Sequence, residues 1–133
     1  MSSPQLYWSC LLAAVAALWS EPIQAQLIPD QTLGAEGSVV STDVLVKGNL
    51  ADLIEGGAAR GPNLFHSFDA FTVANDQRVY FANPAGIESI LSRVTGNNRS
   101  DIFGTLGVDG TADLFLINPN GIVFGPDVSL DVT

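Results

Sequence analysis

Residues 108–122 read VDGTADLFLINPNGI, and residues 73–87 read VANDQRVYFANPAGI. The two stretches align without a gap at an offset of 35 positions, residue 73 against residue 108. In both, a short apolar run leads into Asn-Pro-x-Gly-Ile. Self-similarity at a fixed spacing is typical of stacked β-units. The repeat therefore predicts a solenoid of β-strands, and it favours a structural or recognition role over an enzymatic one.

The Asn-Pro-x-Gly sequence matches the residue preferences of a type I β-turn. In Asn118-Pro119-Asn120-Gly121, the first Asn can bond the backbone two residues on, Pro presets φ at the second position, and Gly suits the fourth. Asn83-Pro84-Ala85-Gly86 is expected to form the same turn with Ala in third place. Each apolar strand would end at such a turn, and the next strand would begin at Ile87 or Ile122.

The apolar runs before the two turns, residues 78–82 and 113–117, have strong β-propensity. They are almost continuously apolar, which is typical of parallel strands covered on both faces. Between them, Asp109-Gly110 predicts a tight hairpin turn. Upstream, residues 39–40 and 44–46 predict two short strands around a turn, and residues 52–55 predict another strand.

Three aromatic residues, Phe65, Phe68 and Phe71, recur at every third position. This spacing suits one helical turn, or an irregular crossing whose rings all face inward. Three rings on one side would form a hydrophobic plug. The sequence therefore predicts that these residues cap a core that would otherwise be open.

Charge and composition argue against several classes of function. The chain has 133 residues, with 14 acidic and 5 basic residues and a net charge of -9. Nucleic acids and anionic membrane surfaces require clustered Lys and Arg, so neither is expected as a partner. A hydrophobic content of 47% is enough for a packed core, and the 13 Gly and 7 Pro favour turns over long helices.

The N-terminal segment predicts a secretory signal peptide. Residues 6–19 are mostly apolar, and Ala25 offers a small residue before Gln26. No Lys or Arg precedes the apolar run, which departs from the usual layout. We expect residues 1–25 to be removed, with cleavage between Ala25 and Gln26. The only cysteine, Cys10, would leave with them, so the mature chain could form no disulfide.

The sequence offers no metal, cofactor or catalytic motif. His66 is the only histidine, and one imidazole without a nearby cysteine makes no transition-metal site, so we expect a packing or surface role. Asp109 and Asp113 flank a turn, but calcium needs several converging oxygens. There is no nucleophile motif and no phosphate loop. We therefore assign no metal, no cofactor and no enzymatic activity.

In the order and spacing of these motifs, the chain resembles the N-terminal secretion domain of filamentous haemagglutinin-type exoproteins, in the form found in cyanobacteria. The resemblance rests on residues 63–73, 81–87, 93–97 and 116–126 and on the start at residues 26–34. It covers about residues 26–131. It implies an all-β fold, a right-handed parallel β-helix with an N-terminal cap and extra-helical strands.

The resemblance also implies two-partner secretion. Such a chain crosses the inner membrane through the general secretory translocon, engages the periplasmic domains of an outer-membrane transporter, and becomes secreted or displayed at the cell surface. The transporter-recognition motif would be Asn118, Pro119, Asn120, Gly121, Ile122, Asn83, Pro84, Gly86 and Ile87. Family members are typically longer, with adhesin, haemagglutinin or toxin regions. We therefore expect residues 26–133 to be a secretion domain truncated at its C-terminal end. Contact with a host or neighbouring cell would depend on a missing downstream region.

Two alternatives also fit a β-helix. A fragment of a polysaccharide-acting lyase or hydrolase would need paired carboxylates with basic residues on one face, whereas this chain spreads its acids. A sugar-binding surface protein would need exposed aromatic rings along one face. Only Tyr80 and several Phe are candidates, and we expect most of them to be buried.

Overall fold

The computed structural model describes residues 26–133, so the predicted signal peptide, residues 1–25, lies outside the described residues. The described chain contains one short 3-10 helix, Gly34–Glu36, and twelve strands. The strands are β1 (Gln26–Pro29), β2 (Ser38–Val46), β3 (Asn49–Gly56), β4 (Ala58–Arg60), β5 (Asn63–Thr72), β6 (Arg78–Ala82), β7 (Ser89–Val94), β8 (Ser100–Ile102), β9 (Thr105–Asp109), β10 (Asp113–Ile117), β11 (Ile122–Phe124) and β12 (Ser129–Asp131). Over residues 26–133, no helix has the length and apolar character needed to cross a membrane.

The strands wind through three sheets. The first sheet has the order β1-β5-β7-β10, with β4 also paired to β5; the second has the order β12-β9-β6-β3-β2; the third pairs β11 with β8. One coil consists of β6, β7 and β8, and the next consists of β9, β10 and β11, each strand parallel to its counterpart. The stack makes a β-solenoid of about three turns. The all-β, parallel solenoid predicted from the sequence is confirmed.

The length of a coil differs from the spacing of the sequence repeat. Asp113 lies beside Ser89, 24 positions earlier, and Thr105 lies beside Arg78, 27 positions earlier. The offset of 35 therefore does not correspond to one turn. Strand β6 belongs to the second sheet and β10 to the first, so the two similar stretches lie on different sides of the solenoid. The fold was predicted correctly, but the repeat that suggested it is not the structural repeat.

The core lies between the three sheets. Val79 and Phe81 of β6 are completely buried in it, and Tyr80 packs on the other face against Val46 and Ala51, so β6 is covered on both faces as predicted. Strand β10 is not covered in this way. Its outward-facing Phe115 and Ile117 are each 49% exposed, because β10 lies in the last coil and no described element packs over its outer face. For β10 the prediction of burial on both faces was wrong.

An extended strand, β5, stands where the aromatic cap was predicted. Phe68 and Phe71 are buried in the core with their rings edge to face, 5.1 Å apart. The pairing of β1 with β5 skips Asp69, and this irregularity lets two residues three positions apart both face inward. Phe65 precedes the irregularity, points to the opposite face and is only half-buried. The prediction of a cap of three inward-facing rings is therefore wrong. Phe68 and Phe71 face inward but are part of the core, and Phe65 faces outward.

Three strands, β1, β2 and β4, pair only antiparallel and stand outside the parallel coils. Strand β2 forms a hairpin with β3, which also pairs parallel with β6, and β1 and β4 pair with the same edge of β5. The two strands predicted at residues 39–46 are one strand, in which Asp43 adopts a φ of 56° at a register shift. The chain reverses instead at Lys47-Gly48. Asp109-Gly110 is not a hairpin turn, because it joins β9 to β10 in different sheets.

Tyr80 connects the β2–β3 hairpin to the parallel coils through its contacts. Tyr80, Gly107 and Asp131 lie side by side on adjacent strands of the second sheet. Because Gly107 has no side chain, the Tyr80 hydroxyl reaches past it and donates a hydrogen bond of 2.6 Å to Asp131. Lys47 of the hairpin turn also binds this carboxylate, at 2.9 Å. Arg78 lies over the Tyr80 ring at 4.9 Å and donates to three carbonyls of the hairpin.

This arrangement predicts the effect of Gly107→Ala. A Cβ atom there would lie 2.6 Å from the Tyr80 ring and 2.7 Å from the Asp131 carbonyl oxygen. We expect a loss of roughly 1–3 kcal/mol in the free energy of unfolding, since overpacking displaces the tyrosine or the strand. Urea unfolding measures it. Gly37→Ala is the matched control, because its nearest contact would be 3.5 Å away. Equal stability of the two variants would contradict the role assigned to Gly107.

Candidate functional site

The two Asn-Pro-x-Gly-Ile sequences lie at different corners of the solenoid. Asn83 follows β6, where the chain passes from the second sheet to the first, and Asn118 follows β10, where it passes from the first sheet to the third. Asn83 packs against Gly110 of the next coil, whereas Asn118 contacts Asn98 of the preceding coil. The structure therefore does not stack the two motifs as equivalent positions.

The second motif forms the turn that the sequence predicts. The Gly121 N–H donates to the Asn118 carbonyl at 3.0 Å, which closes the turn. The Asn118 side-chain oxygen accepts a bond of 2.9 Å from the Asn120 N–H, two residues on. Gly121 has a φ of 107°, a conformation that favours glycine. The residue preferences and the hydrogen bonds agree at each position.

The Asn118 side chain is a bridge between coils. Its amide nitrogen donates to the Asn98 carbonyl at 3.0 Å and to the Ser100 hydroxyl at 2.9 Å. Asn120 adds a bond of 2.7 Å from its own amide to the Gly96 carbonyl. Asn118 is only 9% exposed, and both of its polar side-chain atoms have partners within the fold. In the folded chain, this amide is not available to a binding partner; the exposed part of the motif is Pro119-Asn120-Gly121.

The first motif forms a different turn, displaced by one residue. The Ile87 N–H donates to the Pro84 carbonyl at 3.2 Å, and Gly86 has a φ of 84°. The Asn83 side-chain oxygen instead accepts from the Ala112 N–H of the next coil at 2.8 Å, and its amide donates to the Ile87 carbonyl at 3.0 Å. The Asn83 oxygen is thus directed at the next coil, and the hydrogen bonds of Asn83 do not include the local one that Asn118 accepts from the residue two positions on. The prediction of two identical turns was wrong.

Two glycines, Gly96 and Gly110, lie in close contact with the neighbouring coil. A Cβ atom at Gly110 would overlap the Asn83 side chain, and one at Gly96 would overlap the Asp69 carbonyl oxygen. Both glycines are therefore required by close contact between successive coils. The sequence indicates a turn at Asp109-Gly110 but predicts a hairpin there, whereas in the structure Gly110 allows contact between coils.

The N-terminal brace, which the sequence reasoning missed, is built on Asp30. The Asp30 carboxylate accepts hydrogen bonds from Thr32, Ser67 and Thr95 at 2.6–2.7 Å. Partial burial would raise the pKa of Asp30, but these hydroxyl groups outweigh it and lower the pKa to about 2. Arg93 donates to Ser67 and Thr32 and completes the network. In the sequence, only the spacing Asp30-x-Thr32, which is typical of a turn closed by an aspartate side chain, indicates part of this network.

The only histidine of the chain is a core residue. His66 is 1% exposed, its Nδ1 atom lies 2.8 Å from the Ser38 hydroxyl, and its ring centroid lies 5.3 Å from that of Phe81. Burial lowers the pKa of His66 to about 4. Within residues 26–133, no three His, Cys, Asp or Glu side chains come together as a metal site. The packing role is the one that the structure shows.

Comparison with known proteins identifies a family. A family model described as TPS secretion domain matches residues 25–133, which includes every described residue. The family is one of secretion domains rather than of enzymes. No curated protein and no solved structure matches the chain. The match confirms the resemblance to two-partner secretion domains that the motifs suggested.

The bridge at Asn118 leads to a prediction for stability. Asn118→Ala leaves the buried Ser100 hydroxyl and the Asn98 carbonyl without their shared donor, which costs roughly 1–3 kcal/mol. We expect a fall in melting temperature on the order of 10 °C, since each kcal/mol shifts the midpoint of a domain this size by about 4–8 °C. Circular dichroism measures it. Asn98→Ala is the control, because only the backbone of this exposed residue takes part. A similar loss in both variants would argue against the bridge.

The buried histidine predicts a pH dependence. The pKa of His66 is about 4 in the folded chain and about 6.5 when unfolded, so the unfolded state binds more protons between these values. Stability should therefore be greatest above pH 6.5 and fall by about 3 kcal/mol as the pH drops to 4. Urea unfolding between pH 4 and pH 8 measures this slope. In His66→Gln the slope should be much smaller; an unchanged slope would assign the dependence to other groups.

Proposed function

The chain belongs to the family of TPS secretion domains, and we propose that it is the secretion domain of a two-partner-secretion exoprotein recognised by a partner outer-membrane transporter. In this proposal, residues 1–25 direct the chain to the general secretory translocon and are removed before Gln26. The periplasmic domains of the transporter then bind the chain. It passes through the barrel and reaches the cell surface or the medium.

The observation that carries the proposal is the family match over residues 25–133, on a chain whose fold is the β-solenoid expected of such a domain. The cysteine content is consistent with it. Cys10 is the only cysteine, so the exported chain would contain none. It could therefore form no disulfide in the periplasm that would hold it in a folded state. Residues 26–133 retain 13 acidic and 5 basic residues, and their net charge of -8 favours solubility before transport.

We place recognition by the transporter before folding. In the folded chain the Asn118 side chain is buried and bonded within the solenoid, so a transporter cannot bind it. In an extended chain, the same asparagine and the backbone of the neighbouring strands are free. Such a segment can pair with an exposed sheet edge of the transporter by β-augmentation. The motif is thus bound by the transporter first and forms a corner of the solenoid afterwards.

Folding outside the cell is the second part of the proposal. Each of the strands β10, β11 and β12 pairs with another described strand on one side only. Apolar side chains of this last coil are exposed, among them Phe115, Ile117, Phe124 and Leu130. Solenoids are stabilised by contacts between neighbouring coils, so a formed coil is a template for a following one. This geometry supports a role in nucleating a β-helix.

An export assay with the partner barrel tests the order of these events. We expect the double variant Asn118→Ala with Asn120→Ala to accumulate in the periplasm, because the transporter no longer binds the motif. Asn98→Ala should reach the medium normally. Gly107→Ala, which weakens the fold but leaves the motif intact, should also reach the medium, where it should be more sensitive to protease.

Three outcomes would contradict the proposal. Normal export of the double variant would remove the motif from recognition. Retention of Gly107→Ala in the periplasm would show that the transporter binds the folded state. Export of the unaltered chain from cells that lack the barrel would overturn the assigned function itself.

A further inference from the structure

We propose that a groove on the outer face of the first sheet binds an extended peptide that carries a carboxylate beside an apolar side chain. The groove encloses a cavity of 330 Å³, a size found in ligand-binding sites. It lies on the outer face of β5, β7 and β10, and its lining residue Ile117 directly precedes the second Asn-Pro-x-Gly corner. This inference goes beyond secretion and does not depend on the proposed export.

The floor of the groove is apolar and crosses three strands. Phe65 of β5 lies beside Leu91 of β7, and Ile117 of β10 completes the floor, while Leu33 forms a wall. Adjacent strands are about 4.8 Å apart, so the floor is roughly 10 Å long. Phe115, which pairs with Leu91 and is 49% exposed, continues this apolar track beyond the cavity. An elongated track suits an extended chain, of which about three residues would cover the floor.

Two arginines give the groove its charge. Arg93 is held by the hydroxyl groups of Ser67 and Thr32, at 2.9 and 2.8 Å, and forms no salt bridge with a carboxylate among residues 26–133. Arg60 also lines the groove, where it pairs with Glu36 in an exposed salt bridge, a weak kind of interaction. Arg78 also forms no salt bridge among residues 26–133, but it is bonded to backbone carbonyls of the β2–β3 hairpin, whereas the partners of Arg93 are two side-chain hydroxyl groups.

The chemistry of Arg93 selects the ligand. A guanidinium fixed by neutral hydroxyl groups keeps donors for a planar anion, and it binds carboxylates in a two-pronged geometry. An apolar floor beside this donor favours a peptide in which a leucine or similar residue neighbours an aspartate or glutamate. Asp30 shares Thr32 and Ser67 with Arg93, so its negative charge will keep the affinity modest.

Binding of two matched peptides tests the proposal. The ¹⁵N-labelled full chain is titrated with acetyl-Leu-Glu-Leu-amide and with its neutral isostere acetyl-Leu-Gln-Leu-amide, and amide shifts are followed by NMR. We expect the glutamate peptide to bind about fivefold more tightly, since its contact with arginine is charge-assisted. Shifts should concentrate in β5, β7 and β10. Leu91→Ser should weaken both peptides.

Variants of two arginines test whether Arg93 is the side chain that prefers the glutamate peptide. Arg93→Gln should abolish the preference for the glutamate peptide. The matched control Arg99→Gln should keep it, because Arg99 pairs with Asp101 away from the groove. Thermal unfolding of each variant verifies that the fold persists, and Arg93→Lys, which retains a charge, provides a second test if Arg93→Gln unfolds: it should bind the glutamate peptide more weakly than the unaltered chain but still prefer it.

Other outcomes would overturn the inference. Equal affinity for the two peptides would remove the carboxylate from recognition. Octanoate binding to the groove in preference to either peptide would identify a site for small amphiphiles. Shifts in the same strands on concentrating the chain alone, lost in Leu91→Ser, would show that a second copy of the chain occupies the groove.

Discussion

Every coil of this solenoid must turn corners, and at each corner the ladder of backbone hydrogen bonds between parallel strands is interrupted. Buried backbone groups without partners are costly, so the corners need substitutes for the ladder. Two asparagines supply them: Asn83 accepts from the Ala112 N–H, and Asn118 donates to the Asn98 carbonyl. Gly110 allows the close approach of Asn83 to the next coil, and Gly96 allows its own segment to pass close to the Asp69 carbonyl of the preceding coil. The stacking of the sheets depends on the corners being satisfied in this way.

The sequence predicted what is local and could not predict what depends on register. The strands at residues 78–82 and 113–117 were recognised because continuous apolar β-propensity is a property of a few neighbouring residues. The turn at Asn118 was recognised for the same reason. The coil length was not, since it is set by which strands pair. The resemblance at an offset of 35 positions arose because a strand followed by a corner recurs in different sheets.

The same distinction explains the errors in the candidate site. Phe65, Phe68 and Phe71 are evenly spaced, but strand alternation places Phe65 on the face opposite Phe68, and the irregularity at Asp69 returns Phe71 to the face of Phe68. No pattern within β5 reveals the pairing with β1 in which this irregularity occurs. The two Asn-Pro-x-Gly sequences are equivalent as sequences and differ in structure: the Asn83 oxygen accepts from Ala112 of the next coil, whereas the Asn118 oxygen accepts from its own turn. The Asp30 brace joins residues up to 65 positions apart, which local patterns do not encode.

In the function proposed above, Asn118 would link folding to export and set the order of the two events. A side chain that is bonded on every polar atom inside the fold can be recognised only while the chain is extended. Once the corner forms, the proposed recognition segment would be withdrawn from the transporter, and return through the barrel would require those bonds to break. A segment with both roles, recognition before folding and a coil-to-coil bridge afterwards, would make export directional, with folding of the solenoid contributing to the driving force.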